Sequence, residues 1–186
     1  MVFSSYSELK QKDGNMIIGD PYKFAIGIDL VDTWETIDSP FKLGLLHYYF
    51  ENQTYPKFPI AATLNSELFH LIKVLAAVIE EYDDEPALFE YSPYNLIAKT
   101  NNPEEDFLGH LRFSTGTVED YKDFFFMIKN KSQVRIICIG DHYTGGDFER
   151  KNIVFDEVYL ELSYVQDILN RIRNYISEFL PSGETS

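Results

Sequence analysis

The stretch from Met16 to Val31, MIIGDPYKFAIGIDLV, decides how the folded part of the chain begins. From Tyr22 onward its residues alternate, and a period of two is typical of a β-strand. One side of this predicted strand carries the large apolar residues Phe24, Ile26, Ile28 and Leu30. The sequence therefore predicts a strand over residues 22–31 with one face turned toward a core.

Length and composition favour one globular domain. A chain of 186 residues can bury about 70% of its unfolded surface, enough for a core without disulfides or metals. The first 15 residues are polar and carry no period. We therefore expect a poorly structured extension over 1–15, a single domain over 16–181 and a flexible tail over 182–186. The sequence has no run of 18 apolar residues and no signal peptide pattern, which predicts no membrane span and a cytoplasmic location.

The spacing of the apolar residues predicts two helices in the rest of the chain. A spacing of three and four predicts a helix over 64–82 and a second one ending near Phe179, introduced by a capping box from Ser163 to Gln166. Further strands are predicted over 43–51, 96–100, 108–113, 123–129, 133–140 and 153–161, with a turn over 114–117. This order predicts an α+β fold: a mostly antiparallel sheet with two main helices packed on it.

The net charge of the protein limits the classes of partner that it can bind. Thirty acids against sixteen Lys and Arg give −14, a field that repels phosphate backbones and attracts a basic protein. Nine acids and one base between Glu80 and Asp106 carry −8 of it. Such a run is either a solvated face or a docking surface for a basic protein, with calcium a weaker option. The docking hypothesis assigns binding to Glu80, Glu81, Asp83, Asp84, Glu85, Glu104, Glu105 and Asp106.

Residues that could carry catalysis are few. The loop after the predicted strand 133–140 contains Asp141, His142 and Asp147, which could hold a metal, although a glycine-bearing turn explains the same residues. Cys138 is the single cysteine, and its apolar strand predicts a small buried side chain. The four histidines form no metal-binding pair. We therefore predict no catalytic residue, metal or cofactor, and the oligomeric state stays open.

Three segments resemble the opening of one family. They are Met16 to Ile26, then Trp34, then Gly44 to Phe50 running to Tyr55 and Pro56. Together they are similar to immunity proteins of bacterial polymorphic toxin and contact-dependent growth inhibition systems. The resemblance covers about the first quarter of the chain. Beyond Pro56 only size, acidity and α+β character match.

The resemblance implies a cytoplasmic protein that binds a cognate toxin domain and neutralises it in the producing cell. Such toxins are often nucleases with basic clefts, which an acidic docking surface would suit. One alternative is a small metal-dependent hydrolase that uses the loop of Asp141, His142 and Asp147. Another is a structural subunit whose Tyr and Phe clusters, at 48–50 and 124–126, pack a homo-oligomer.

Overall fold

The predicted strand over residues 22–31 is one half of a β-hairpin. The computed structural model describes residues 14–34, 39–58, 60–93, 95–96, 111–120, 123–140 and 154–180. Its strands are β1 (Met16–Asp20), β2 (Phe24–Leu30), β3 (Leu43–Phe50), β4 (Gln53–Tyr55), β5 (Ala61–Thr63), β6 (Phe124–Asn130), β7 (Gln133–Gly140) and β8 (Val154–Glu161). Its helices are α1 (Leu64–Ala76), α2 (Pro86–Phe89), α3 (Gly116–Glu119) and α4 (Leu162–Phe179), with a 3₁₀ turn at Asp32–Trp34 and a π-helical turn at Ala77–Glu81.

The α+β class is confirmed, but the strands form two antiparallel sheets rather than one. The first sheet has the order β1-β2-β3-β4, with β5 also paired to β3. The second has the order β6-β7-β8. Tyr22 is in the turn of the first hairpin and not in a strand, because its N–H donates to Asp20 Oδ1 at 3.0 Å and starts the reversal.

One main core lies between the two sheets and helices α1 and α4. Phe125 of β6 is its centre, since its ring packs against the rings of Tyr48, Phe50, Tyr55 and Phe113 with centroids 4.5–6.4 Å apart. Most side chains of the two aromatic clusters, at 48–50 and 124–126, therefore pack in the interior of this chain. The amphipathic stripes of α1 and α4 bury their apolar faces in the same core.

A smaller core covers the opposite face of the second sheet. Leu88, Phe89 and Leu96 pack there against Phe126, Ile128, Ile137 and Ile139. The predicted strand at 96–100 is wrong at Leu96, which is helical; residues 97–100 lie outside the described residues. The reason is a local turn, because the Ser92 carbonyl accepts hydrogen bonds from the N–H groups of both Asn95 and Leu96.

Three more local predictions need correction. Of the predicted strand 108–113, the described part contributes only an isolated bridge between Arg112 and Phe126. The predicted turn at 114–117 leads into helix α3, which is held by a 2.6 Å hydrogen bond from Ser114 Oγ to Glu119. Helix α4 begins before the predicted capping box, since the Leu162 N–H donates to the Ser132 carbonyl at 2.7 Å.

The chain ends are described in part. Gly14 is buried, and its carbonyl accepts a 2.6 Å hydrogen bond from the Tyr175 hydroxyl of α4. Residues 1–13 and 181–186, which hold most of the predicted extension and all of the predicted tail, lie outside the described residues. Within the described part of the chain, none of the helices is long and apolar enough to cross a membrane.

Candidate docking surface

Helix α1 ends in a π-helical turn that carries the first acids of the predicted docking surface. The Tyr82 N–H donates to the Ala77 carbonyl at 2.9 Å, five residues back. Tyr82 itself is extended, with φ −83° and ψ 139°, so the helix stops there. A π turn is rare and is frequent at functional sites. This turn sets the point at which the chain leaves α1 and exposes its carboxylates.

We name residues 80–85 the acidic segment. Glu80, Glu81, Asp83 and Asp84 are exposed, and Glu85 is half-buried. Asp83, Asp84 and Glu85 are consecutive, so this part of the segment carries one negative charge at every residue. Exposure of four carboxylates within five residues gives a local field that a basic partner would meet first.

The end of β6 and the turn that joins it to β7 hold the acidic segment in place. Lys129 Nζ donates to the Tyr82 carbonyl. The Glu85 N–H donates to the Lys129 carbonyl at 2.9 Å, and the Lys131 N–H donates to Asp84 Oδ1 at 2.8 Å. The Lys129 ammonium also offsets the negative end of the α1 dipole, which the nearby acids oppose. The segment is therefore fixed by three contacts, two to Lys129 at the end of β6 and one to Lys131 in the turn after it.

The same turn brings in an acid that sequence reasoning missed. Gln133 pairs with Glu161, and Glu161 is exposed at the junction of β8 and α4. The five acids of the segment, Glu161, Lys129 at the end of β6 and Lys131 in the turn after it together carry a formal net charge of −4. Only the pairing of β7 with β8 joins Glu161 to this surface, so a search for acidic runs does not find it.

The remaining predicted site residues lie outside the described residues. They are Glu104, Glu105 and Asp106 of the docking surface and Asp141, His142 and Asp147 of the alternative loop. The structure therefore places five of the eight predicted docking acids, and it places them on one continuous segment.

Cys138 and its surroundings are buried. Burial raises the pKa of the Cys138 thiol well above its ordinary value, and the Asp123 and Asp156 carboxylates raise it further. A protonated, enclosed thiol is a poor nucleophile. Asp156 accepts a hydrogen bond from the Tyr55 hydroxyl. Among the described residues, no three His, Cys, Asp or Glu side chains are grouped so that they could hold a metal ion.

A second feature is the face of the first sheet opposite the main core, which is buried at His47 and half-buried at Asp29 and Tyr49. It carries Asp29, His47 and Tyr49, with His47 Nε2 3.7 Å from Asp29 Oδ2. The Tyr49 ring lies across Gly27, where an added Cβ would come within 2.9 Å of it. Partial burial, followed by the Asp29 charge, raises the pKa of Tyr49. This face is more apolar than the acidic segment.

Fold and surface together define a small α+β protein that presents an ordered acidic segment at one end. The chain matches the family model of immunity protein 42, Imm42, over residues 16–175. It belongs to this family of immunity proteins, which confirms the resemblance found in the opening segments.

The chain is similar in structure to CdiI from Burkholderia dolosa AUO158, with a TM-score of 0.58 and 21% identity over 84% of this chain and 99% of that chain. This likeness confirms the fold. A comparison with curated proteins gave no match. Membership of the family gives the chain its role: it is an immunity protein, which neutralises a toxin.

Proposed function

We propose that the protein binds a basic face of its cognate toxin through the acidic segment, and that this toxin is a nuclease. It acts by binding and not by catalysis, in the bacterial cytoplasm, as part of a contact-dependent growth inhibition system. The observation that carries this proposal is the fixed acidic segment at 80–85, in which four of the five carboxylates are exposed.

Charge spacing supports a nuclease as the partner. A non-helical chain advances at most about 3.3–3.6 Å per residue, so Asp83, Asp84 and Glu85 carry a charge at least that often. Each strand of a DNA duplex carries one phosphate per roughly 3.4 Å of the helix axis, so a nuclease cleft faces a dense negative charge. A cleft built to hold phosphates is lined by cationic groups, which a dense run of carboxylates attracts.

Preorganisation supports the same segment as the contact. A flexible acidic run would lose conformational entropy on binding, about 0.5–1.5 kcal/mol for each side chain that is immobilised. Here the backbone of Tyr82 and Glu85 and the carboxylate of Asp84 are already bonded to the end of β6 and the turn after it. Binding of the toxin therefore costs this segment less conformational entropy.

The experiment is a nuclease assay with the purified toxin domain and increasing amounts of this protein. We expect cleavage of RNA or DNA to stop at one equivalent of the protein, and inhibition to weaken as salt rises. A toxin that binds the protein but cleaves neither nucleic acid would refute the nuclease assignment. Full inhibition that is independent of salt would refute the acidic contact.

A further inference from the structure

Tyr159 of β8 carries an aromatic ring that is both exposed and held in place. The side chain is 51% exposed. The Phe89 ring packs edge-on against the Tyr159 ring, with centroids 5.6 Å apart. The Arg135 guanidinium lies over the same ring, 5.7 Å from its centroid. Among the described residues, none of the other exposed aromatic side chains has its ring held by both an aromatic ring and a guanidinium.

Helix and strand contacts place this ring beside the acidic segment. The Phe89 N–H donates to the Glu85 carbonyl at 2.8 Å, so Phe89 follows the segment after the single turn of α2, about 6 Å of helix rise. Along β8, Tyr159 comes two residues before Glu161, which pairs with Gln133 just after the turn that holds the segment. The Tyr159 ring and the acidic segment therefore belong to one surface.

Two carboxylates flank the ring along the strand. Alternate residues of a strand share one face and lie about 6.8 Å apart, so Glu157, Tyr159 and Glu161 share one face of β8. Arg135, which pairs with Tyr159, confirms this for Glu157, because its Nε donates to Glu157 Oε2 at 3.0 Å. Glu157 is half-buried, whereas Glu161 is exposed. A partner on the ring therefore meets an accessible carboxylate beside an aromatic face.

We propose that Tyr159 anchors the toxin by binding one of its arginine side chains, an inference that rests on the proposed function. The arginine stacks on the part of the ring that Arg135 leaves open and donates to the Glu161 carboxylate. Tyr and Arg are enriched among the residues that carry most of the energy of an interface, and such residues tend to pair across it. A cation over an aromatic face is attracted by the ring quadrupole, more strongly when water is excluded.

The surroundings of the ring favour an arginine over other side chains. An apolar side chain would remove water from Glu161 without offering it a partner, which costs free energy. A lysine ammonium is a point charge, whereas a planar guanidinium can stack on the ring and also donate to a carboxylate. Arg135 does not repel the incoming cation strongly, because Glu157 neutralises its charge. Since Phe89 and Arg135 already hold the ring, binding costs it little conformational entropy.

Two substitutions test the anchor with the purified cognate toxin domain. Tyr159→Leu removes the aromatic face, and we expect the affinity measured by calorimetry to fall about tenfold. Tyr159→Phe keeps the face and should stay within about threefold of the native protein. Phe69→Leu is the matched control and should leave the affinity unchanged, because Phe69 is also 51% exposed but precedes Glu80 by about 16 Å of helix rise. Native affinity in a folded Tyr159→Leu protein, or equal losses in both Tyr159 variants, would overturn the proposal.

The native complex gives a separate readout of what occupies the ring. With isotope-labelled arginine in the toxin domain, we expect the side-chain NMR signals of one arginine to move upfield on binding, because protons over an aromatic face are shielded. A complex without a shielded arginine would overturn the proposal.

Neutralising the acidic segment tests the proposed function independently. If that change weakens binding and Tyr159→Leu does not, the docking function stands and the anchor is rejected. If only Tyr159→Leu weakens binding, and Tyr159→Phe does not, the anchor stands and the acidic segment is rejected as the contact.

Discussion

Neutralising four carboxylates of the acidic segment is expected to weaken toxin binding by about 10- to 100-fold, because each surface ion pair contributes about 0.2–1 kcal/mol. The variant combines Glu80→Gln, Glu81→Gln, Asp83→Asn and Glu85→Gln. Asp84 is left in place because its carboxylate accepts the Lys131 N–H and fixes the segment. Calorimetry or surface plasmon resonance at several salt concentrations should show lower affinity, slower association and a flatter dependence on salt.

The control removes the same amount of charge elsewhere. Its substitutions are Glu51→Gln, Asp120→Asn, Asp167→Asn and Glu178→Gln, all at exposed positions outside the acidic segment. Charges beyond about one Debye length are screened, so this variant should keep affinity within about threefold of the native protein. Equal losses in both variants would mean that overall charge, and not this segment, attracts the toxin.

Removing the Arg135 side chain is expected to cost about 3 kcal/mol of unfolding free energy, the scale for breaking a buried ion pair. Arg135 is 2% exposed. Its guanidinium donates to Glu157 through Nε and Nη2, and through Nη1 to the carbonyls of Phe89 and Tyr91. Arg135→Ala would leave the two carbonyls and the half-buried Glu157 carboxylate without this donor, and denaturant titration measures the loss.

Two variants sharpen the interpretation of that loss. Arg135→Lys should recover little, because a lysine cannot reproduce the planar fork that reaches three acceptors. Arg171→Ala is the control, as Arg171 is partly exposed and 3.9 Å from Asp167; it should change stability by less than about 1 kcal/mol. An Arg135→Ala protein as stable as the native one would contradict the role given to this side chain.

The parts of the fold that the sequence predicts are those with a strong local period. The stripe of α1, the alternation of β8 and the apolar run of β7 each identify their element. The region from 96 to 119 has no such period, and its described residues take their structure from contacts with the second sheet and with α1. Tertiary packing there overrides local preference.

The docking surface, too, was predicted from the sequence only in part. The acids from Glu80 to Glu85 are visible as a run in the sequence, and their exposure follows from their charge. Lys129 and Lys131 join them only through hydrogen bonds between residues 47 apart in the chain, and Glu161 through the pairing of β7 with β8. Arg135 lies inside an apolar strand, where its spacing gives no sign of the carbonyls that it binds.

Carboxylate footprinting shows directly whether the toxin covers the acidic segment. A carbodiimide and an amine label exposed carboxylates, and mass spectrometry compares labelling of the protein alone with labelling in its toxin complex. We predict that labelling of Glu80, Glu81 and Asp83 falls sharply in the complex, while Glu51, Asp120, Asp167 and Glu178 are labelled as before. If labelling of the acidic segment is unchanged and Asp29 of the first sheet is protected instead, the toxin binds at Asp29 and not at the acidic segment.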